Sequence, residues 1–351
     1  MSEDVWAARD TTPDAIDDAL RELLRQRHTA NRALAPARVL NLIVVVDRDW
    51  KGEIANRLEQ VGRYHASRTI LCVVEEGRDT LDAVASISYD ESASVGIHPI
   101  REYVEIEMGV EQLSRLDTIV DPVLVAELPT VLWSPHGHDE VIDALLSKID
   151  VILVDSDREE QSVGLDRALR LLRSAYVVDL AWLRTTPWRE RLAASFDQPQ
   201  RRAALGELDE VCVRHQPSSG ASAALLAGWL GSRLHWTMEP LQSLGGAGRS
   251  GTARRGPSGD PIELSLSPVE QEAPGLAGVA VGWRPGCLLS LDRGPGGLMA
   301  RQRSASGEER SWRVLGASRG EGGILGEGVR QALLRDPTYG PALEAARRLC
   351  S

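Results

Sequence analysis

Phenylalanine, lysine and paired cysteine are nearly absent from this chain. Phe196 is the sole phenylalanine, and Lys51 and Lys148 are the only lysines among 40 basic residues. Arginine supplies the rest, which fits either base composition of the genome or recognition of carboxylates and phosphates. Cys72, Cys212, Cys287 and Cys350 form no CxxC pair, which excludes a zinc knuckle and a thioredoxin-type motif. Cys72 and Cys212 lie in strand-like apolar runs and are expected to be buried and inert, leaving Cys350 as the candidate exposed thiol. No run approaches the ~18 apolar residues of a membrane span. The start, Met1-Ser2-Glu3-Asp4, is acidic and has no apolar segment of a secretory signal. A cytoplasmic protein with no membrane partner is expected. The net charge is −11 and no dense basic stripe occurs, which argues against a nucleic-acid partner.

Catalytic signatures are missing as well. Neither lysine follows Walker-type glycines, and there is no GxSxG elbow and no HExxH helix. Gly246-Ala247-Gly248-Arg249-Ser250-Gly251 has the letters of GxGxxG. A dinucleotide site needs a strand before it and a helix after it, and neither flank fits, so a flexible Gly-rich loop over 243–261 is expected. His136-Gly137-His138-Asp139 follows a strand, where α/β sheets bind ligands. With no distant third ligand it reads as a helix-capping turn rather than a metal site. Asp155-Ser156-Asp157 reads as a strand exit. His65, Ser67 and Arg68 stand together before a strand; they could hold a phosphate or polarise a carbonyl, or anchor a turn. No enzyme, cofactor or metal is expected from these residues.

Tryptophan, by contrast, occurs nine times. An indole needs a large apolar contact and a partner for its N–H, so nine are unlike random decoration. Around them the pattern is α/β. Thr12-Pro13-Asp14 opens a helix, 38–46 is a continuous apolar strand buried on both faces, and a helix and a second strand at 68–75 follow. Strand–helix–strand order implies parallel pairing. Segments 83–89 and 101–108 are more polar and are expected to be antiparallel, and the βαβ pattern resumes from 130. Pro187 is expected to start a helix capped by Thr186. In the helix over 221–235, Gly228 and Gly231 each cost about 1 kcal/mol relative to Ala, which a close packing partner would explain. Short alternating segments from 262 to 315 read as an antiparallel meander, followed by two helices. The expected architecture is α/β. An N-terminal domain over 1–175 has a mixed or parallel sheet with flanking helices. A C-terminal α+β domain over 176–351 holds the Gly-rich loop and the meander.

Five segments carry a further signal. They are Ala37-Arg38-Val39-Leu40-Asn41-Leu42, His65-Ala66-Ser67-Arg68-Thr69-Ile70, Leu128-Pro129-Thr130-Val131-Leu132-Trp133, the pair Val178-Asp179-Leu180-Ala181-Trp182 with Thr186-Pro187-Trp188-Arg189-Glu190, and Leu225-Leu226-Ala227-Gly228-Trp229-Leu230. Together and in this order, the chain resembles the glucose-6-phosphate dehydrogenase assembly protein family (OpcA) from about Arg38 to Trp236. The resemblance implies a non-catalytic cytoplasmic partner that promotes the active oligomer of that dehydrogenase and raises its activity. Redox control through cysteines, found in some members, has no matching pair here. Trp133, Trp182, Trp188, Arg189 and Trp229 recur in the matching segments and are of hot-spot type, so they are the expected contact surface, with a core role as the other reading. The competing class is an enzyme or a sensor of a sugar phosphate or NADPH, with a pocket at strand ends near His65 and His136.

Overall fold

The computed structural model describes all residues except 1, 31–33, 37, 63–66, 90–97, 244–247, 257–258 and 315–320. The chain forms two compact units. The first is Met1–Val154, Ser174–Val178 and Glu321–Arg335; the second is Asp155–Arg173, Asp179–Gly320 and Asp336–Ser351. The sequence reading places one boundary after 175, whereas contacts interleave the units along the chain.

The first unit is built on a mixed sheet. Its strands are β1 (Ser2–Ala8), β2 (Leu34–Pro36), β3 (Leu40–Asp47), β4 (Ser67–Glu75), β5 (Asp82–Tyr89), β6 (His98–Gly109), β7 (Thr130–Trp133), β8 (Val151–Val154) and β9 (Tyr176–Asp179). They run in the order β1-β5-β6-β4-β3-β7-β8-β9, with β2 beside β6. β3 lies parallel to β4 and to β7, and β4 lies parallel to β6. Leu40 to Val46 is buried throughout, as a central strand covered on both faces requires. β5 is antiparallel to β1 and to β6, as its polar alternation predicts; β6 itself is parallel to β4. On β6, Val104, Ile106 and Met108 are fully buried, while Tyr103, Glu105 and Glu107 on the other face are only partly so. β1 has no counterpart in the sequence reading, because an edge strand half exposed along its length lacks an apolar run.

The second unit holds β10 (Leu208–His215), β11 (Trp236–Met238), β12 (Gln242–Ser243), β13 (Arg249–Arg255), β14 (Pro261–Pro268), β15 (Leu276–Trp283), β16 (Cys287–Gly294), β17 (Gly297–Arg303) and β18 (Glu309–Val314). Their order is β11-β13-β14-β10-β15-β16-β17-β18, with β12 beside β13. β15 to β18 form an antiparallel meander as expected, but the segment from 262 expected to open it is β14, which pairs with β13 and β10 instead of β15. β10 inserts between β14 and β15, parallel to the former and antiparallel to the latter.

Two local expectations are overturned. Within the stretch 243–261, Arg249–Arg255 is a strand rather than loop, because β12 and β14 supply ladder partners on its two sides. Gly251 fits there because a Cβ would come within 2.9 Å of the Leu241 side chain. Likewise Thr186 does not cap a helix at Pro187. One helix spans Leu180–Ser195 with Pro187 inside it, and Asp179 caps it by accepting from the Ala181 N–H at 2.9 Å. Among the described residues no helix is long and apolar enough to cross a membrane.

The helix Gly220–Arg233 packs against the helix Tyr339–Leu349. A Cβ at Gly228 would stand 2.6 Å from the Ala346 nitrogen and would also strike the Ala342 carbonyl oxygen. This is the close partner that the buried glycine requires. Gly228→Ala should therefore destabilise the protein by roughly 1–3 kcal/mol, despite alanine's higher helix propensity. Chemical denaturation checks this, and an unchanged or raised midpoint would contradict the packing.

Candidate functional site

In an open parallel sheet, ligands bind beyond the carboxyl ends of the strands, where strand order reverses. Here that point lies between β3 and β7. β3 ends at Asp47, and Arg48–Trp50 makes one 3-10 turn that feeds directly into the helix Lys51–Gly62. A pyrophosphate turn needs glycine for close backbone approach and no negative charge at the helix start. This turn offers Asp47, Asp49 and an indole instead.

Beyond β7 the chain folds back on itself. The Ser134 hydroxyl donates to the Gly137 carbonyl, and Gly137 and His138 take left-handed φ values of 113° and 60°. That conformation is open to glycine and uncommon for histidine. It aims the His138 ring between two carboxylates: Nε2 lies 2.9 Å from Asp47 and Nδ1 lies 3.3 Å from Glu140. The His136 ring stacks on Trp50, with centroids 4.3 Å apart and planes 16° apart. The two turns are thus clasped across the reversal point. Among the described residues no group of three or more His, Cys, Asp or Glu side chains could hold a metal ion.

Ser67 and Arg68 sit at the opposite edge of the sheet, and His65 lies outside the described residues. Arg68 pairs in register with Asn41 at the amino end of β3, whereas Trp133 pairs with Val44 and His136 follows it. The six steps from Asn41 to Asp47 span about 20 Å. Arg68 and His136 therefore share no pocket. Arg68 is 5% exposed and serves the core: its Nε donates to Glu102 at 2.7 Å and an Nη to the Val123 carbonyl at 2.6 Å. Arg38 donates to the other Glu102 oxygen. The Ser67 hydroxyl lies 3.2 Å from that of Thr69.

The second unit carries a buried polar cluster whose members the sequence scatters. Arg184 grips Asp155 with two bonds of 2.7 and 2.8 Å. Asp157 accepts the Ser222 N–H at 2.9 Å and its hydroxyl at 2.5 Å. Burial first, and the Asp155 charge second, push the Asp157 carboxyl up to about 7. Burial also raises Asp179.

Comparison with known proteins decides the family. Residues 58–170 match the family described as glucose-6-phosphate dehydrogenase subunit N-terminal domain, and residues 175–343 match its C-terminal domain. The chain belongs to this family. It is 33% identical over 142 residues to OpcA of Synechocystis sp., covering 39% of this chain and 30% of that one. It is 32% identical over 140 residues to OpcA of Nostoc punctiforme, covering 38% and 30%. The match therefore spans less than a third of those relatives' length. An oxidoreductase from Sinorhizobium meliloti aligns over 89% of this chain and 94% of that one, with a TM-score of 0.47 and 12% identity.

Within this family member, three of the four tryptophans expected at a contact surface are core residues. Trp133, Trp182 and Trp188 are each 2% exposed. The Trp182 indole donates to Asp336 at 2.9 Å, and the Arg189 guanidinium lies over its ring at 3.5 Å. Arg189 also donates to Thr185 and Thr186, and burial brings its pKa down to about 10. Trp229 alone among the four indoles keeps partial exposure. The expected exposed thiol is not exposed: Cys350 is 9% accessible, and burial pushes it up to about 11. Cys72 is fully buried and pushed up to about 12. Neither thiol is poised as a thiolate. Cys212, expected to be buried, is partly exposed.

Two outcomes follow from these burials. Arg68→Met should cost roughly 3 kcal/mol or more, because it leaves Glu102 with half its partners inside the core; denaturant titration measures it. The Asp157 carboxyl keeps its proton to about 7 when folded, against 3.8 ordinarily. Its stabilising contribution is complete below the unfolded value and is lost as pH rises through the folded one. Between about pH 5 and about pH 8 the melting temperature should fall further in the natural protein than in Asp157→Asn.

Proposed function

We propose that the chain is a non-catalytic assembly factor and allosteric activator of glucose-6-phosphate dehydrogenase. It promotes that enzyme's active oligomer in the oxidative pentose phosphate pathway, in the cytoplasm, and so raises NADPH output. The observation that carries this reading is the family match across both units. The reversal point of the first sheet supports it, since its turn has carboxylates and an indole where a nucleotide-binding sheet has glycine. The separation of Arg68 and His136 at opposite edges of the sheet favours this reading over a sensor with one pocket near both.

An activator acts by binding the active state more tightly than the inactive one. A coupling of about 1–3 kcal/mol changes the active fraction roughly 5- to 150-fold. Buried Trp133, Trp182 and Trp188 shape the units, so contact falls to exposed residues and to the partly exposed Trp229. Titrating the protein into the dehydrogenase of the same cell, with NADPH formation as readout, should give a saturable rise in rate and a shift toward the larger oligomer in sedimentation. The protein alone should form no NADPH. A flat titration would remove this function.

A further inference from the structure

Trp50 is the most exposed indole of the chain, at 42%, and it is nevertheless held in place. His136 covers one face at 4.3 Å, and the turn carrying it is bound to Asp47 through His138. The residue precedes the first turn of the helix Lys51–Gly62, so the backbone beneath it is fixed too. An exposed aromatic held this way keeps its contact area without an ordering cost on binding.

The charge around it has one dominant sign. Asp49 and Glu140 are exposed and Asp47 partly so, and of the three only Asp47 and Glu140 face His138, leaving the exposed Asp49 beside the indole. The neighbouring cations are already committed: Arg48 bonds Glu75 at 2.9 Å, and Lys51 bonds Glu105 at 2.6 Å and Glu107 at 3.0 Å. A phosphate is repelled by such a rim. A guanidinium suits it, because it can lie flat on an indole while its edge N–H groups reach carboxylates. A lysine ammonium lacks that planar fit.

We infer that the carboxyl edge of the first sheet, centred on Trp50 and rimmed by Asp47, Asp49 and Glu140, is a docking surface for an arginine presented by a protein partner. The surface stands on its own geometry; that the partner is the dehydrogenase rests on the function proposed above.

Two measurements on the full chain test it. Calorimetric titration with hexa-arginine at low salt should show binding, which Trp50→Ala or Asp49→Lys weakens by about tenfold while melting temperatures stay unchanged. Hexa-lysine should bind more weakly than hexa-arginine. In the dehydrogenase titration the same variants should raise the half-saturating concentration by about tenfold at an unchanged plateau. Equal hexa-arginine affinity in the variants and the natural protein would overturn the surface, as would binding of NADPH that depends on Trp50. A natural protein that binds hexa-arginine through Trp50 but leaves the dehydrogenase unaffected would keep the surface and overturn the assembly function. Activation unchanged by both variants would do the reverse.

Discussion

The second unit depends on one buried carboxylate. Asp179 has no exposed surface and accepts four hydrogen bonds: from the Ser156 N–H at 3.1 Å and hydroxyl at 2.6 Å, from the Ala181 N–H at 2.9 Å, and from the Tyr339 hydroxyl at 3.1 Å. These donors belong to three separate segments of the chain. A carboxylate out of water is tolerated only when such bonds replace its hydration. By capping the helix Leu180–Ser195, Asp179 fixes the rotation at which Trp182, Arg184, Trp188 and Arg189 leave it. Arg184 then meets Asp155, and Arg189 covers the Trp182 ring. One acidic side chain thereby sets the geometry of both the polar cluster and the aromatic core beside it.

The first unit divides its polar residues between the two edges of the sheet. At the amino edge, buried Arg68 and Glu102 and the partly exposed Arg38 form a triad. The Asn41 amide bonds the Val125 carbonyl at 3.1 Å and the Thr130 hydroxyl at 3.2 Å. Removing any one of these partners would strand another in the core, so this edge is specified tightly. At the carboxyl edge the polar side chains are exposed and pair across loops. These contacts tie β3, β4, β6 and β7 together at the amino edge.

This division explains what was legible in the sequence. The apolar run of β3 and the alternation of β15 to β18 announce themselves, because burial on two faces or on one leaves a period in the chain. The Gly228 contact was legible as a cost needing a partner. The strand β13 was hidden, since Gly and Ser at exposed ladder positions look like a loop until neighbouring strands supply hydrogen bonds. The continuous helix through Pro187 was hidden as well, because the capping group at Asp179 outweighs the local start signal of Thr186 and Pro187. The tryptophans stand out in the sequence, but side-chain type does not tell core from surface. Trp182 and Trp188 are buried by the helix on which they lie, whereas Trp50, which carries no such motif, is exposed. The joins of Ser156 to Asp179, Arg184 to Asp155 and Ser222 to Asp157 cross tens of residues, and no spacing rule connects them.

A doubly wound sheet commonly advertises its ligand at the reversal point, yet fold alone does not fix function. At that point this chain carries Asp47-Arg48-Asp49-Trp50, two carboxylates and an indole flanking one arginine. At the start of the helix Lys51–Gly62 the Lys51 N–H already bonds the Arg48 carbonyl, and Asp49 and Glu53 place negative charge in the first turns. The stack of His136 on Trp50 joins the two turns and leaves the indole exposed. Asp47, Asp49 and Trp50 together set an exposed indole beside carboxylates, the chemistry on which the proposed docking surface rests.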